Sequence, residues 1–116
     1  MEPSAIREKF GGDYVASDHT FVMGIDQRIT AHFADRFRRL YVLETCTGAG
    51  FTTISLARTA KHVITVEIDR SHQEQAVQNV KKAGRSAFVT FMRGSTLDPT
   101  LLDDLPPVDA AFIDPA

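Results

Sequence analysis

The chain has one cysteine, Cys46, so it cannot close a disulfide on itself, and a reducing, cytoplasmic setting is the expectation. It has no run of about twenty apolar residues, so no helical membrane span is expected. Its start, Met1-Glu2-Pro3-Ser4-Ala5, lacks the basic patch and apolar stretch of a secretion signal. It has no excess of one charge: 13 Lys and Arg stand against 15 Asp and Glu, a net charge of −2. The basic footprint of nonspecific nucleic-acid binding is therefore missing from the total. There is no internal repeat and no low-complexity tract. The four histidines, His19, His32, His62 and His72, lack metal-ligand spacing, and no metal is expected.

What is present is a chain of 116 residues, 43% hydrophobic and 24% charged, enough for one small domain with a core. Residues 1–25 are rich in Gly and Asp and read as an N-terminal arm, with a short helix at Pro3 to Phe10. Residues 26–116 read as the domain proper. Asp26 is placed to cap a helix whose apolar positions are Ile29, Phe33, Phe37 and Leu40. Strands are expected at Tyr41 to Glu44, His62 to Ile68, Ala87 to Met92 and Val108 to Ile113. Between them, helices are expected at Phe51 to Arg58, at Ser71 to Ala83 with a Ser71/Glu74 capping box and a Gly84 stop, and after Asp98-Pro99. Strands alternating with helices imply parallel pairing through right-handed crossovers. The fold class is α/β, a doubly wound, mainly parallel Rossmann-like sheet.

The informative stretch is the turn after the first strand, Glu44-Thr45-Cys46-Thr47-Gly48-Ala49-Gly50, followed by Glu67 at the end of the second strand. Ligands of such sheets bind outside the carboxyl ends of the strands. Gly48 and Gly50 let the backbone approach a ligand there. Glu67, seventeen residues past Gly50, can accept hydrogen bonds from both hydroxyls of a ribose. A pyrophosphate would be repelled by Glu44, and the G-x-G-x-x-G pattern of dinucleotide loops is broken. A carboxylate suits a ligand with a cationic amino-acid end, such as S-adenosylmethionine. Cys46 reads as a small loop residue rather than a nucleophile. Two local basic clusters, Arg36, Arg38 and Arg39, then Lys81, Lys82 and Arg85, read either as solvated helix faces or as a phosphate-facing edge.

At these residues the sequence resembles class I S-adenosylmethionine-dependent methyltransferases. More narrowly, from about Phe21 to Ala116 it resembles the trimethylguanosine synthase family of RNA cap guanine-N2 methyltransferases. Enzymes that methylate guanine N2 of ribosomal RNA share the same outline. The resemblance implies that Glu44, Thr45, Gly48 and Gly50 line the methionine end of the donor. It implies that Glu67 holds the ribose, that Ile68 packs on the adenine, and that Ser95 stands near the adenine amine. Asp69 reads as a helix-start residue, and Phe21 to Thr30 matches a stretch that closes over the donor. Asp114-Pro115 stands where relatives place an acid-Pro-Pro-aromatic motif that accepts from a target NH₂, with Ala116 in place of the second proline. An RNA or nucleotide substrate is the implied partner. A noncatalytic donor-binding module and a small-molecule methyltransferase are the competing readings. The resemblance implies seven strands where four are read, so the sequence reads as the N-terminal half of that fold, with a sheet edge open to homodimer pairing.

Overall fold

The computed structural model describes residues 1–114. Ten regular elements follow one another: α1 (Pro3–Phe10), α2 (Asp18–Met23), α3 (Gln27–Ala34), β1 (Tyr41–Thr45), α4 (Phe51–Thr59), β2 (His62–Glu67), α5 (Arg70–Lys82), β3 (Val89–Arg93), α6 (Pro99–Asp103) and β4 (Ala110–Ile113). The four strands form one sheet in the order β3-β2-β1-β4, and every pairing is parallel. The sheet is Rossmann-like, as the alternation of elements required.

Local chemistry sets the boundaries. Pro3 opens α1, where its missing amide costs nothing, and Gly11 closes it at φ 83°. Ser17 and Thr20 form a reciprocal capping box on α2, and the Asp26 carboxylate accepts from the Arg28 amide at the start of α3. Three expectations shift. The cap of α5 is Asp69, which accepts from the His72 amide, and the helix therefore begins ahead of Ser71. A 3-10 turn over Ser86–Phe88 delays β3 to Val89, and β4 begins at Ala110 instead of Val108. The arm also carries a second helix, α2, that its Gly- and Asp-rich sequence concealed.

The core lies between the sheet and α4, with Val42, Val63, Leu56, Ile54, Val80 and Val89 all buried. Each such side chain contributes about 1.5–3 kcal/mol on leaving water. Every residue of α4 from Phe51 to Ala57 is buried, although three of them are Thr or Ser. Two of those hydroxyls are hydrogen-bonded: Thr53 donates to Glu44 and Ser55 pairs with Thr30. The arm joins this body through a second cluster, in which Phe10 stacks on Phe51 at a centroid distance of 3.5 Å and an interplanar angle of 5°. Asn79, fully buried on α5, accepts from the Val15 amide (2.7 Å) and donates to the carbonyls of Val15 (2.8 Å) and Ala49 (2.9 Å). One side chain thus ties arm, turn and helix together.

Parallel strands put all entering segments at one end of the sheet and all leaving segments at the other. The segment before β1 carries Arg36, Arg38 and Arg39, that before β2 carries Arg58 and Lys61, and that before β3 carries Lys81, Lys82 and Arg85. Helix C-termini favour such cations. The segment before β4 is acidic, with Asp103, Asp104 and Asp109.

Candidate functional site

The carboxyl edge of β2, β1 and β4 opens onto a cavity of about 430 Å³, within the range of small-ligand sites. Its floor is the turn after β1. That turn reverses the chain through positive φ at Cys46 (59°), Gly48 (57°) and Gly50 (87°). Glycine adopts this conformation freely, whereas at Cys46 it is strained. The turn is pinned by Thr47 N donating to Val66 O (3.1 Å) and Gly50 N donating to Thr47 O (3.0 Å). Gly50 also allows close approach to α5: a Cβ there would lie 3.0 Å from Ala76 Cβ.

Glu67 faces this floor from the end of β2. Its Oε1 accepts from the Gly48 amide (2.7 Å) and its Oε2 from the Asp69 amide (2.9 Å). Each oxygen keeps a further lone pair. His72 Nδ1 stands 4.0 Å from Oε2, and the His72 and His19 rings stack 5.5 Å apart at the cavity rim. The hydrogen bond from the His72 amide holds the Asp69 carboxyl below its usual value.

Glu44 is placed differently. Its carboxylate is buried and accepts from the hydroxyls of Thr53 and of Thr65 (2.8 Å). Because the single Thr65 proton goes to Glu44, the Thr47–Thr65 bond must be donated by Thr47, a residue of the cavity wall. Burial pushes the Glu44 carboxyl up to about 7; the two threonine hydroxyls oppose the rise, and the charges of Asp114 and Glu67 add to it.

The residues expected at the site thus divide. Gly48, Glu67, Ile68 and Asp114 line the cavity, with Ile68 exposed and Asp114 at the end of β4. Glu44, Thr45 and Gly50 are buried and do not line it; they shape its floor from behind. Thr45 Oγ1 is buried without a partner among the described residues, a free hydroxyl one residue before the turn. Ser95 is not on the wall, and its hydroxyl accepts from the Leu97 amide (3.1 Å). Pro115 lies outside the described residues. Met23, Gly24 and Ile25 form a wall from the arm, within the stretch expected to close over the donor. The Thr47–Thr65–Glu44–Thr53 network and the partners of Asn79 had no signal in the sequence: each joins residues far apart in the chain. The described wall carries no Lys or Arg and three carboxylates, Glu67, Asp69 and Asp114.

Residues 39–110 match the family model described as RNA cap guanine-N2 methyltransferase. Over 80 residues the chain is 40% identical to the release factor glutamine methyltransferase of Bacillus cereus, covering 67% of this chain and 27% of that protein. Among solved structures, the O-methyltransferase TomG of Streptomyces achromogenes, in complex with SAM, superposes with a TM-score of 0.65 at 28% identity. The superposition covers 97% of this chain and 51% of TomG. Precorrin-6y C5,15-methyltransferase from Geobacter metallireducens, at 17% identity, shares the fold with a TM-score of 0.73, over 90% of this chain and 55% of its own. These findings and the site place the chain in the class I methyltransferase superfamily. Within it, the chain belongs to the family whose model, described as RNA cap guanine-N2 methyltransferase, matches it. It spans about a quarter of the length of the curated relatives it matches (27%). Among the described residues no helix is long and apolar enough to cross a membrane.

Proposed function

We propose that this chain forms the S-adenosylmethionine-binding part of a methyltransferase whose acceptor is an exocyclic amine of an RNA base, guanine N2. One observation carries the donor reading: a cavity at the carboxyl edge with three carboxylates and no Lys or Arg on its described wall. A pyrophosphate finds no cation there, while a ligand bearing a sulfonium and an ammonium meets complementary charge. The free lone pairs of Glu67 suit the two ribose hydroxyls, exposed Ile68 offers an apolar face to an adenine, and the unpartnered Thr45 hydroxyl is a spare polar group beside the turn. The residues therefore fit the cofactor. The TomG structure, in complex with SAM, supports the same reading.

When bound, S-adenosylmethionine supplies an electrophilic methyl on a positive sulfur. The chain's own residues hold, orient and shield. Glu67 fixes the ribose end, and the arm wall of Met23 to Ile25 excludes water from one side. Asp114 presents a carboxylate acceptor to an incoming N–H, which turns the amine lone pair out of conjugation and offsets the positive charge it gains. The family model supports guanine N2. The 40% identity to a release factor glutamine methyltransferase favours a second acceptor, a protein glutamine amide, which is likewise a planar NH₂ with a delocalised lone pair.

Calorimetric titration of S-adenosylhomocysteine into the chain tests the donor site. Glu67→Ala is expected to bind at least about tenfold more weakly, with an unchanged circular dichroism spectrum. Equal affinity in both proteins removes the ribose assignment. Methyl incorporation from labelled donor into guanosine-capped RNA supports the first acceptor; incorporation into a glutamine peptide alone replaces it with the second.

A further inference from the structure

The two basic clusters that stand apart in the sequence precede β1 and β3, the strands on either side of β2. The segments entering β1, β2 and β3 lie side by side at the amino edge of the sheet, because those strands are parallel neighbours. Contacts across the edge join the first two segments: Arg39 N donates to Thr59 O (2.8 Å) and Lys61 N to Leu40 O (2.8 Å). The three segments, 35–41, 57–62 and 81–89, hold one acid between them, Asp35, which is paired with Arg38 at 2.8 Å. Arg36, Arg39, Arg58 and Lys61 are exposed and take part in no ion pair among the described residues. Solvation at helix ends explains single cations of this kind; it does not explain what lies among them.

Two large aromatic rings are exposed on the same edge. Tyr41, at the first residue of β1, is 43% exposed, and Phe88, just before β3, is 39% exposed. Each is flanked by a cation, with Lys61 Nζ 5.3 Å from the Tyr41 centroid and Arg85 Cζ 5.3 Å from that of Phe88. With β2 between them, β1 and β3 lie about 10 Å apart. A row of unpaired cations with flat apolar rings between them matches what a single-stranded nucleic acid offers: phosphates at the rim and bases that stack. An acidic protein surface would use the cations and leave the rings unused.

We propose that the amino edge of the sheet, around Arg39, Lys61, Tyr41 and Phe88, is a docking surface for single-stranded RNA, separate from the donor cavity at the opposite edge. The surface ends directly beside Tyr41, whose amide donates to the Asp109 carboxylate (2.9 Å) in the acidic segment entering β4. Only the choice of RNA as the polyanion leans on the acceptor reading above.

The test is fluorescence anisotropy of a labelled oligouridine strand titrated with the full chain. Binding is expected to weaken with salt, with a log–log slope of about −2 to −3, as for three or four phosphates. The combined variant Arg36→Glu, Arg39→Glu, Lys61→Glu is expected to lose at least about tenfold. Tyr41→Ala with Phe88→Ala is expected to lose about fivefold at unchanged salt slope. S-adenosylhomocysteine affinity is expected to stay within about twofold in every variant. RNA binding that none of these substitutions changes overturns the surface. Competition by polyglutamate as strong as that by RNA overturns the RNA assignment. Loss of S-adenosylhomocysteine binding in the wild type, with RNA binding intact, sinks the donor reading and leaves this surface standing.

Discussion

The two ends of the sheet use charge in opposite ways. At the carboxyl edge the acids are held by the fold: Glu44 is buried under two threonine hydroxyls and Glu67 is fixed by two backbone amides. At the amino edge of β1, β2 and β3 the charges are mostly basic and exposed, with one ion pair among them. A charge enclosed by protein shapes what binds beside it and costs stability when disturbed. A charge in water costs almost nothing to move and acts through the field it projects. The contrast teaches where substitution should hurt folding and where it should hurt only binding.

The largest expected effect falls on the clamp behind the carboxyl edge. Asn79→Ala removes three hydrogen bonds and strands the buried partners of a fully buried amide. Urea unfolding should show a loss of about 2–4 kcal/mol. A loss below about 1 kcal/mol would mean that the arm is held by its aromatic contacts alone.

Glu44 sharpens the contrast through pH. Its folded value is about 7 against an ordinary 4.5, so the folded state holds the proton more tightly than the unfolded one. Stability is then full below about pH 4.5, falls as pH rises through the window to 7, and levels off above it. The loss is on the order of 3 kcal/mol. Glu44→Gln keeps the acceptor for Thr53 and Thr65 and cannot ionise. Unfolding curves at pH 5 and pH 8 should differ by about 2 kcal/mol more in the wild type than in this variant. Parallel behaviour of the two proteins would show that Glu44 does not titrate in the fold.

The smallest effect belongs to the amino edge. Arg58→Ala should change stability by less than about 0.5 kcal/mol, because the side chain is exposed and unpaired among the described residues. A larger change in a thermal melt would mean that the basic edge is structural and would erase the distinction between the two ends.

Much of the fold was legible because it is written in short-range signals. The β-branched run at His62, the Pro3 and Asp98-Pro99 starts and the glycine stops fix elements from within a few residues. One miss was local and another was not. Ser71 with Glu74 satisfies the capping-box pattern, yet Asp69 wins because its carboxylate already meets the His72 amide. The helix at Asp18–Met23 was hidden because its stability comes from Phe21 against Phe10 and from Thr20 donating to Gln75, contacts outside its own segment. At the site, Gly48 and Glu67 were readable because backbone reversal and a strand-end acid have few other uses. The part of Glu44 was not, since an acid at a strand end reads alike whether it faces a ligand or a threonine.

The sequence by itself determined the alternation of strands and helices, the glycine turn and the two acids that frame it, because each depends on the preferences of neighbouring residues. Folding settled which acid faces the cavity, that Asn79 binds the arm to the turn, and that two distant basic clusters enter the sheet at the same end. Those outcomes depend on strand order and on which way side chains point across parallel neighbours, and that information exists only once the chain has closed on itself.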